Sequence, residues 1–191
     1  MNCIIKLHGT SGSGKTTVAR ELMKNADLVR TILNPASRKP EAYEVRWLYK
    51  NPLFILGPYT ATCGGLDSLS DVNDHIRLLH QCAEYGHVFY EGLLGSEYYG
   101  RIGKETEKYG DSHIFAFLDT PIDLCLARVQ ARRLARGNTK PLNPANTVGR
   151  VAKIERLRYR LENEFKRPTR TITHLSPTAE ILNIYREYDA L

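Results

Sequence analysis

Much is scarce in this chain of 191 residues. No apolar stretch approaches the roughly 18 residues that a membrane span requires. The opening residues, Met-Asn-Cys-Ile-Ile-Lys, lack the basic segment and apolar run of a secretory signal. Cysteine is sparse: Cys3, Cys63, Cys82 and Cys125 lie 60, 19 and 43 residues apart. None of those spacings is that of a metal knuckle or a redox pair, which predicts reduced thiols in a cytoplasm. The six histidines form no metal pair; His75 and His80 stand five apart, off the i, i+4 face of a helix. There is no repeat, low-complexity tract or long linker. Membrane, secreted and zinc-module classes are therefore disfavoured.

What is present suits one domain with a real core. Hydrophobic residues make up 42% and charged residues 25%, near the average for a soluble globular chain. A chain of this length buries about 70% of its unfolded surface. The net charge of +6 is unevenly spread. Residues 1–127 carry 13 Lys/Arg against 15 Asp/Glu, residues 128–170 carry 13 against 3, and residues 171–191 carry 1 against 3. An excess of +10 within 43 residues fits a surface for phosphates or nucleic acid. It fits a solvated helix face equally well.

Short apolar runs alternate with amphipathic segments. Strands are predicted at Cys3–Leu7, Leu53–Leu56, His87–Tyr90, Ile114–Leu118 and Thr171–Leu175. Helices are predicted at Lys15–Asn25, Asp71–Tyr85, Pro121 to about Arg136, Thr147–Phe165 and Thr178–Tyr188, with a polar loop at Gly137–Asn146. That alternation predicts an α/β sandwich built of parallel βαβ units, with its site at the carboxyl ends of the strands.

The sharpest motif is Gly9-Thr10-Ser11-Gly12-Ser13-Gly14-Lys15-Thr16, which satisfies GxxxxGK[ST] in full. Its glycines let successive backbone N–H groups turn around a phosphate, and the following helix adds its positive end. Lys15 would reach the β- and γ-phosphates, the Thr16 hydroxyl would ligate Mg²⁺, and Thr17 continues the cradle. The motif predicts a bound nucleoside triphosphate. Glu91, directly after the strand HVFY, is a candidate second Mg²⁺ holder, or else a strand-capping carboxylate. Asp67, after Gly64-Gly65, could accept a proton from an attacking hydroxyl or simply begin a turn. Arg128, Arg132 and Arg136 form one helical stripe that runs into the polar loop. An arginine-bearing lid at about 133–150 would close over the γ-phosphate and supply positive charge to it. Tyr59, Tyr90, Tyr98 and Tyr99 flank these positions, where one or two could stack on a base.

These features resemble the small P-loop kinases across nearly the whole chain. A narrower likeness lies in Gly57-Pro58-Tyr59, Gly64-Gly65-Leu66-Asp67-Ser68-Leu69, Tyr90-Glu91-Gly92-Leu93-Leu94 and Leu118-Asp119-Thr120-Pro121, with Cys125, Arg128-Val129 and Arg132-Arg133. Together these resemble the bacteriophage 5-hydroxymethyluracil DNA kinases. The resemblance implies a three-layer fold whose sheet has five parallel strands, the P-loop strand central. It implies ATP with Mg²⁺, DNA as partner, action in the cytoplasm of a bacterial host, and a hydroxyl as phosphoryl acceptor. It makes Lys15, Asp67, Glu91, Arg128 and Arg132 the catalytic set, with Asp67 as base and Glu91 the alternative. Arg132 and Arg136 would also contact ATP. A kinase of free nucleosides, nucleotides or sugars remains the rival reading. An ATPase that binds nucleic acid without a phosphoryl acceptor is another.

Overall fold

The computed structural model describes residues 2–47, 51–61, 64–69, 71–92 and 99–190. Its strands are β1 (Ile4–His8), β2 (Leu28–Leu33), β3 (Pro40–Arg46), β4 (Leu53–Leu56), β5 (His87–Glu91), β6 (His113–Leu118) and β7 (Thr169–Ile172). Its α-helices are α1 (Lys15–Lys24), α2 (Val72–Tyr85), α3 (Arg101–Glu105), α4 (Ile122–Leu134), α5 (Ala145–Asn163) and α6 (Pro177–Asp189). No helix among the described residues is long and apolar enough to cross a membrane.

One sheet of seven strands runs in the order β2-β3-β4-β5-β1-β6-β7. The expectation of five parallel strands is corrected: the sheet is mixed. β4, β5, β1, β6 and β7 are mutually parallel, with β1 in the middle of that block. β2 and β3 add an antiparallel hairpin on the β4 edge. The hairpin does not carry the alternation that marks a half-buried strand. β2 is exposed at nearly every position, and β3 opens on Pro40 and buries the acids Glu41 and Glu44. Those carboxylates are held by Arg77, and by Arg30 and Arg46, respectively. Such pairing is what lets a charge stand where an apolar side chain is expected. The last strand also sits earlier than Thr171–Leu175, because Phe115–Leu118 pair in register with Thr169–Ile172.

The sheet is covered on both faces. On one, Val18 and Leu22 of α1 and Ile181 and Tyr185 of α6 pack on Ile5, Leu7 and Phe89. On the other, Leu78, Leu79 and Cys82 of α2 pack on Ile4, Val88 and Tyr90. Beside them Ile154, Leu157 and Leu161 of α5 pack on Phe115 and Phe117. The alternation of strand side chains thus sends neighbouring residues of β1 to opposite layers. His87 ties the layers at the foot of the sheet. Its Nδ1 accepts the Cys3 N–H at 2.9 Å, leaving Nε2 to donate to Asp189 Oδ1 at 2.9 Å. With β1 fixed on both sides, its carboxyl end and the loop after it face one rim of the sheet, beside the end of β5.

Candidate active site

Between His8 and Lys15 the chain wraps back on itself through two left-handed glycines, Gly12 (φ 82°) and Gly14 (φ 106°). A Cβ at Gly12 would lie 2.3 Å from the Cys125 carbonyl oxygen, so the backbone of α4 presses directly on the loop. Only glycine satisfies both the φ and the contact. Lys15 is 7% exposed, and its Nζ donates to the carbonyls of Gly9 at 2.7 Å and Thr10 at 3.1 Å. Burial pulls its ammonium below the ordinary lysine range, while Glu91 and Asp67 pull the other way.

Glu91, the last residue of β5, is 3% exposed. The Thr16 hydroxyl donates to its Oε1 at 2.9 Å. Burial pushes the Glu91 carboxyl up, against the opposing charge of Lys15 and the Thr16 hydrogen bond. The two predicted Mg²⁺ holders therefore touch. Hydroxyl and carboxylate oxygens suit a hard cation that keeps most of its water and takes further ligands from phosphate. No group of three or more His, Cys, Asp or Glu able to hold a metal occurs among the described residues.

Gly65 is required by close contact with the end of β5. A Cβ at Gly65 (φ 89°) would lie 2.7 Å from Glu91 Oε1 and 2.6 Å from the Glu91 carbonyl oxygen. A Cβ at Gly57 (φ 101°) would likewise lie 2.4 Å from the Gly65 carbonyl carbon. The glycines let two loops cross over the end of β5. That crossing delivers Asp67, on the short turn Leu66–Ser68, to the same rim. Asp67 is exposed, and its Oδ1 lies 2.8 Å from where a Cβ at Gly92 would stand.

Two cavities meet here. A groove of about 1,040 Å³ runs along Ser11–Thr17 and is flanked by Arg20, Arg128 and Arg132. A smaller cavity of about 150 Å³ lies beside it, lined by Lys6, Leu66, Tyr90 and Ile102 among others. Asp67 and Glu91 line both. Arg128 Nη1 reaches the Gly12 carbonyl at 3.3 Å. Arg136 lies past the end of α4 and is not among the residues lining the groove. Tyr59 packs in the core against Tyr43, and Tyr99 stacks on Phe165 at 4.3 Å between ring centres. Of the flanking tyrosines described, Tyr90 alone lines the small cavity. Tyr98, Leu93, Leu94 and Cys63 lie outside the described residues.

Arg20 and Lys6 are not singled out by the sequence, and Arg150 is expected only as the end of the lid at about 133–150. Arg20 donates to the Tyr59 and Ala61 carbonyls at the groove edge. Arg150, in the first turns of α5, reaches Ser11 Oγ at 3.4 Å. Lys6 is a lysine inside a buried strand, 3% exposed. Burial lowers its pKa to about 8 despite the nearby Asp67. Its signal was present in CIIKL, where a charge interrupts an apolar run. The basic surplus after Arg150 is also smaller than the sequence suggests. Arg158 and Arg160 pair with Glu162 and Glu164 one turn on, and Arg167 donates to the Thr106 and Glu107 carbonyls. Arg156, Lys166 and Arg170 are exposed.

No protein-family model matches the chain. It is similar to a 5-hmdU DNA kinase of Pseudomonas phage M6, 29% identical over 164 residues, 81% of this chain and 82% of that protein. It is also similar to a 5-hmdU DNA kinase of Pseudomonas phage PaMx11, 35% identical over 147 residues, 75% of this chain and 77% of that protein. Identity of that degree, sustained across most of both chains, makes this protein a member of the 5-hmdU DNA kinase family.

Proposed function

We propose that this chain phosphorylates the hydroxymethyl group of 5-hydroxymethyluracil within DNA, using ATP and Mg²⁺. The observation that carries the reading is the shared wall: Asp67 and Glu91 line both the P-loop groove and the small cavity beside it. A donor in the groove and a hydroxyl entering from the cavity would meet at two carboxylates. The names of the relatives supply the acceptor.

Each residue then has a task. The P-loop amides and Lys15 hold the phosphates, and Arg128 and Arg132 flank the groove with positive charge. Thr16 and Glu91 are the residues that would hold Mg²⁺, which neutralises charge on the phosphates when bound. Asp67 takes the hydroxyl proton as the acceptor oxygen bonds to the γ-phosphorus. The bond from that phosphorus to the β–γ bridging oxygen breaks, and ADP leaves. Glu91, hydrogen-bonded to Thr16 and buried, is the less available base. The segment at 133–150 acts as a lid over the loop. Consistent with that role, Thr10 Oγ1 donates to the Thr147 carbonyl at 3.4 Å, and Arg150 leans on Ser11.

The direct test gives γ-labelled ATP to three acceptors: DNA containing 5-hydroxymethyluracil, thymine DNA and free nucleotides. Label is expected in the first alone. Label in the free nucleotides would install the small-molecule kinase instead, and phosphate release without labelled acceptor would indicate an ATPase.

Within that assay, Asp67→Asn is expected to cut the transfer rate by roughly 10²–10⁴-fold, the usual worth of a general base, with ATP affinity nearly unchanged. A loss specific to the acceptor step in Glu91→Gln but not in Asp67→Asn would exchange the two roles. An active Asp67→Asn protein with a lowered melting temperature would reduce Asp67 to a turn residue.

DNA is held in part by the exposed basic residues of α5 and the segment after it. Reversing Arg156 and Arg170 to Glu is expected to weaken DNA binding similarly across sequences. It should also flatten the log–log salt dependence by about 0.9 for each phosphate that the protein no longer neutralises. ATP binding should not change. An unaltered salt slope in the double variant would remove these residues from the DNA surface.

A further inference from the structure

The small cavity beside the P-loop groove contains an anomaly that the phosphoryl-transfer chemistry leaves unused. Lys6 projects from the middle of the sheet into it. Its side chain is 3% exposed, and its Nζ lies 5.7 Å from the centre of the Tyr90 ring. Among the described residues it makes no hydrogen bond or ion pair. Its ammonium faces the cavity, where a ligand can supply an acceptor. Lysine offers three N–H donors and no acceptor, so the group that would satisfy it carries a bare oxygen.

The dimensions restrict that group further. The cavity holds about 150 Å³, close to the size of an apolar cavity that takes up a single benzene ring. A single pyrimidine ring is of a size to enter it. The walls supply flat and apolar surface from Tyr90, Leu66 and Ile102. On the groove side stand Asp67 and Glu91. Lys6 and Asp67 line the same cavity. A ring whose hydroxymethyl group points at Asp67 brings the neighbouring carbonyl towards Lys6.

We propose that this cavity receives the acceptor pyrimidine extruded from DNA, and that Lys6 selects uracil by donating a hydrogen bond to the ring carbonyl adjacent to the hydroxymethyl-bearing carbon. The inference rests on the kinase reading above and adds to it the pocket and the residue that reads the base. Cytosine presents an amino group where uracil has that carbonyl. Two donors would then face each other in a buried site, which a hydrogen-bonding pocket rejects strongly. Taking the base out of the stack also explains how a pocket of one-ring size can serve a polymer.

The test compares DNA carrying 5-hydroxymethyluracil with the same DNA carrying 5-hydroxymethylcytosine, for the wild-type protein, Lys6→Met and Lys6→Gln. Wild-type protein is expected to favour the uracil substrate by roughly 100-fold or more in kcat/KM. Lys6→Met is expected to lose at least roughly 10-fold on the uracil substrate and most of the discrimination, with affinity for a nonhydrolysable ATP analogue within about twofold of wild type. Lys6→Gln, whose amide both donates and accepts, should gain activity on the cytosine substrate. A merely structural lysine would lower both activities together and leave their ratio intact, and that result overturns the proposal. So does unchanged kcat/KM on the uracil substrate in both variants. A wild-type protein that labels neither DNA overturns the kinase reading itself, and this inference with it.

Discussion

A carboxylate removed from water has to be compensated, and Glu91 is the one on which this site is organised. It is 3% exposed at the end of a fully buried strand. Desolvation pushes its carboxyl pKa up. It is held by the hydroxyl of Thr16 and the positive charge of Lys15, both from the first turn of α1. Its other side is capped by the backbone of Gly65, closer than any side chain would allow. One carboxylate thus fastens the P-loop, the end of β5 and the crossing loops to one another. Asp67 reaches the site only because that crossing exists.

The sheet makes the arrangement stiff. β1 and β5 pair in register from Ile4 with Val88 to Leu7 with Glu91, so the P-loop leaves β1 one residue beyond the level of Glu91. β6, on the other side of β1, leads through Pro121 into α4, whose Cys125 carbonyl backs Gly12 and whose Arg128 reaches the loop. Neighbouring parallel strands therefore deliver the glycine-rich loop, carboxylate and arginine to one rim, the carboxyl ends where such sheets place ligands. Asp67 and Glu91 form a wall common to the groove and to the cavity that Lys6 lines.

How much of this could be read from the residues varies with the range of the interaction. The turn of the loop between β1 and α1 was legible because its backbone requirement is written locally, as glycines at fixed offsets from a lysine. The parallel strands were legible as apolar runs ending in turn residues. The β2–β3 hairpin was not, because Glu41 and Glu44 occupy buried positions through partners as distant in sequence as Arg77. Gly64-Gly65 stood out, yet its reason, contact with Glu91, exists only once the sheet has formed. The basic surface after Arg150 is the opposite case. Arg158 with Glu162 and Arg160 with Glu164 stand at helical i, i+4 spacing, so a helix-by-helix reading of charge already pairs them.

If Glu91 and Thr16 act as one unit towards the nucleotide's metal ion, their effects cannot be independent. A double-mutant cycle on the phosphoryl-transfer rate, run with Thr16→Val and Glu91→Gln across a range of Mg²⁺ concentrations, measures this directly. Each single variant should require more Mg²⁺ and turn over more slowly. The double variant should be no worse than about the poorer single, because removing either partner already dismantles the pair. Losses that multiply in the double variant would mean that the two residues serve separate purposes, and the account built on their contact would be wrong.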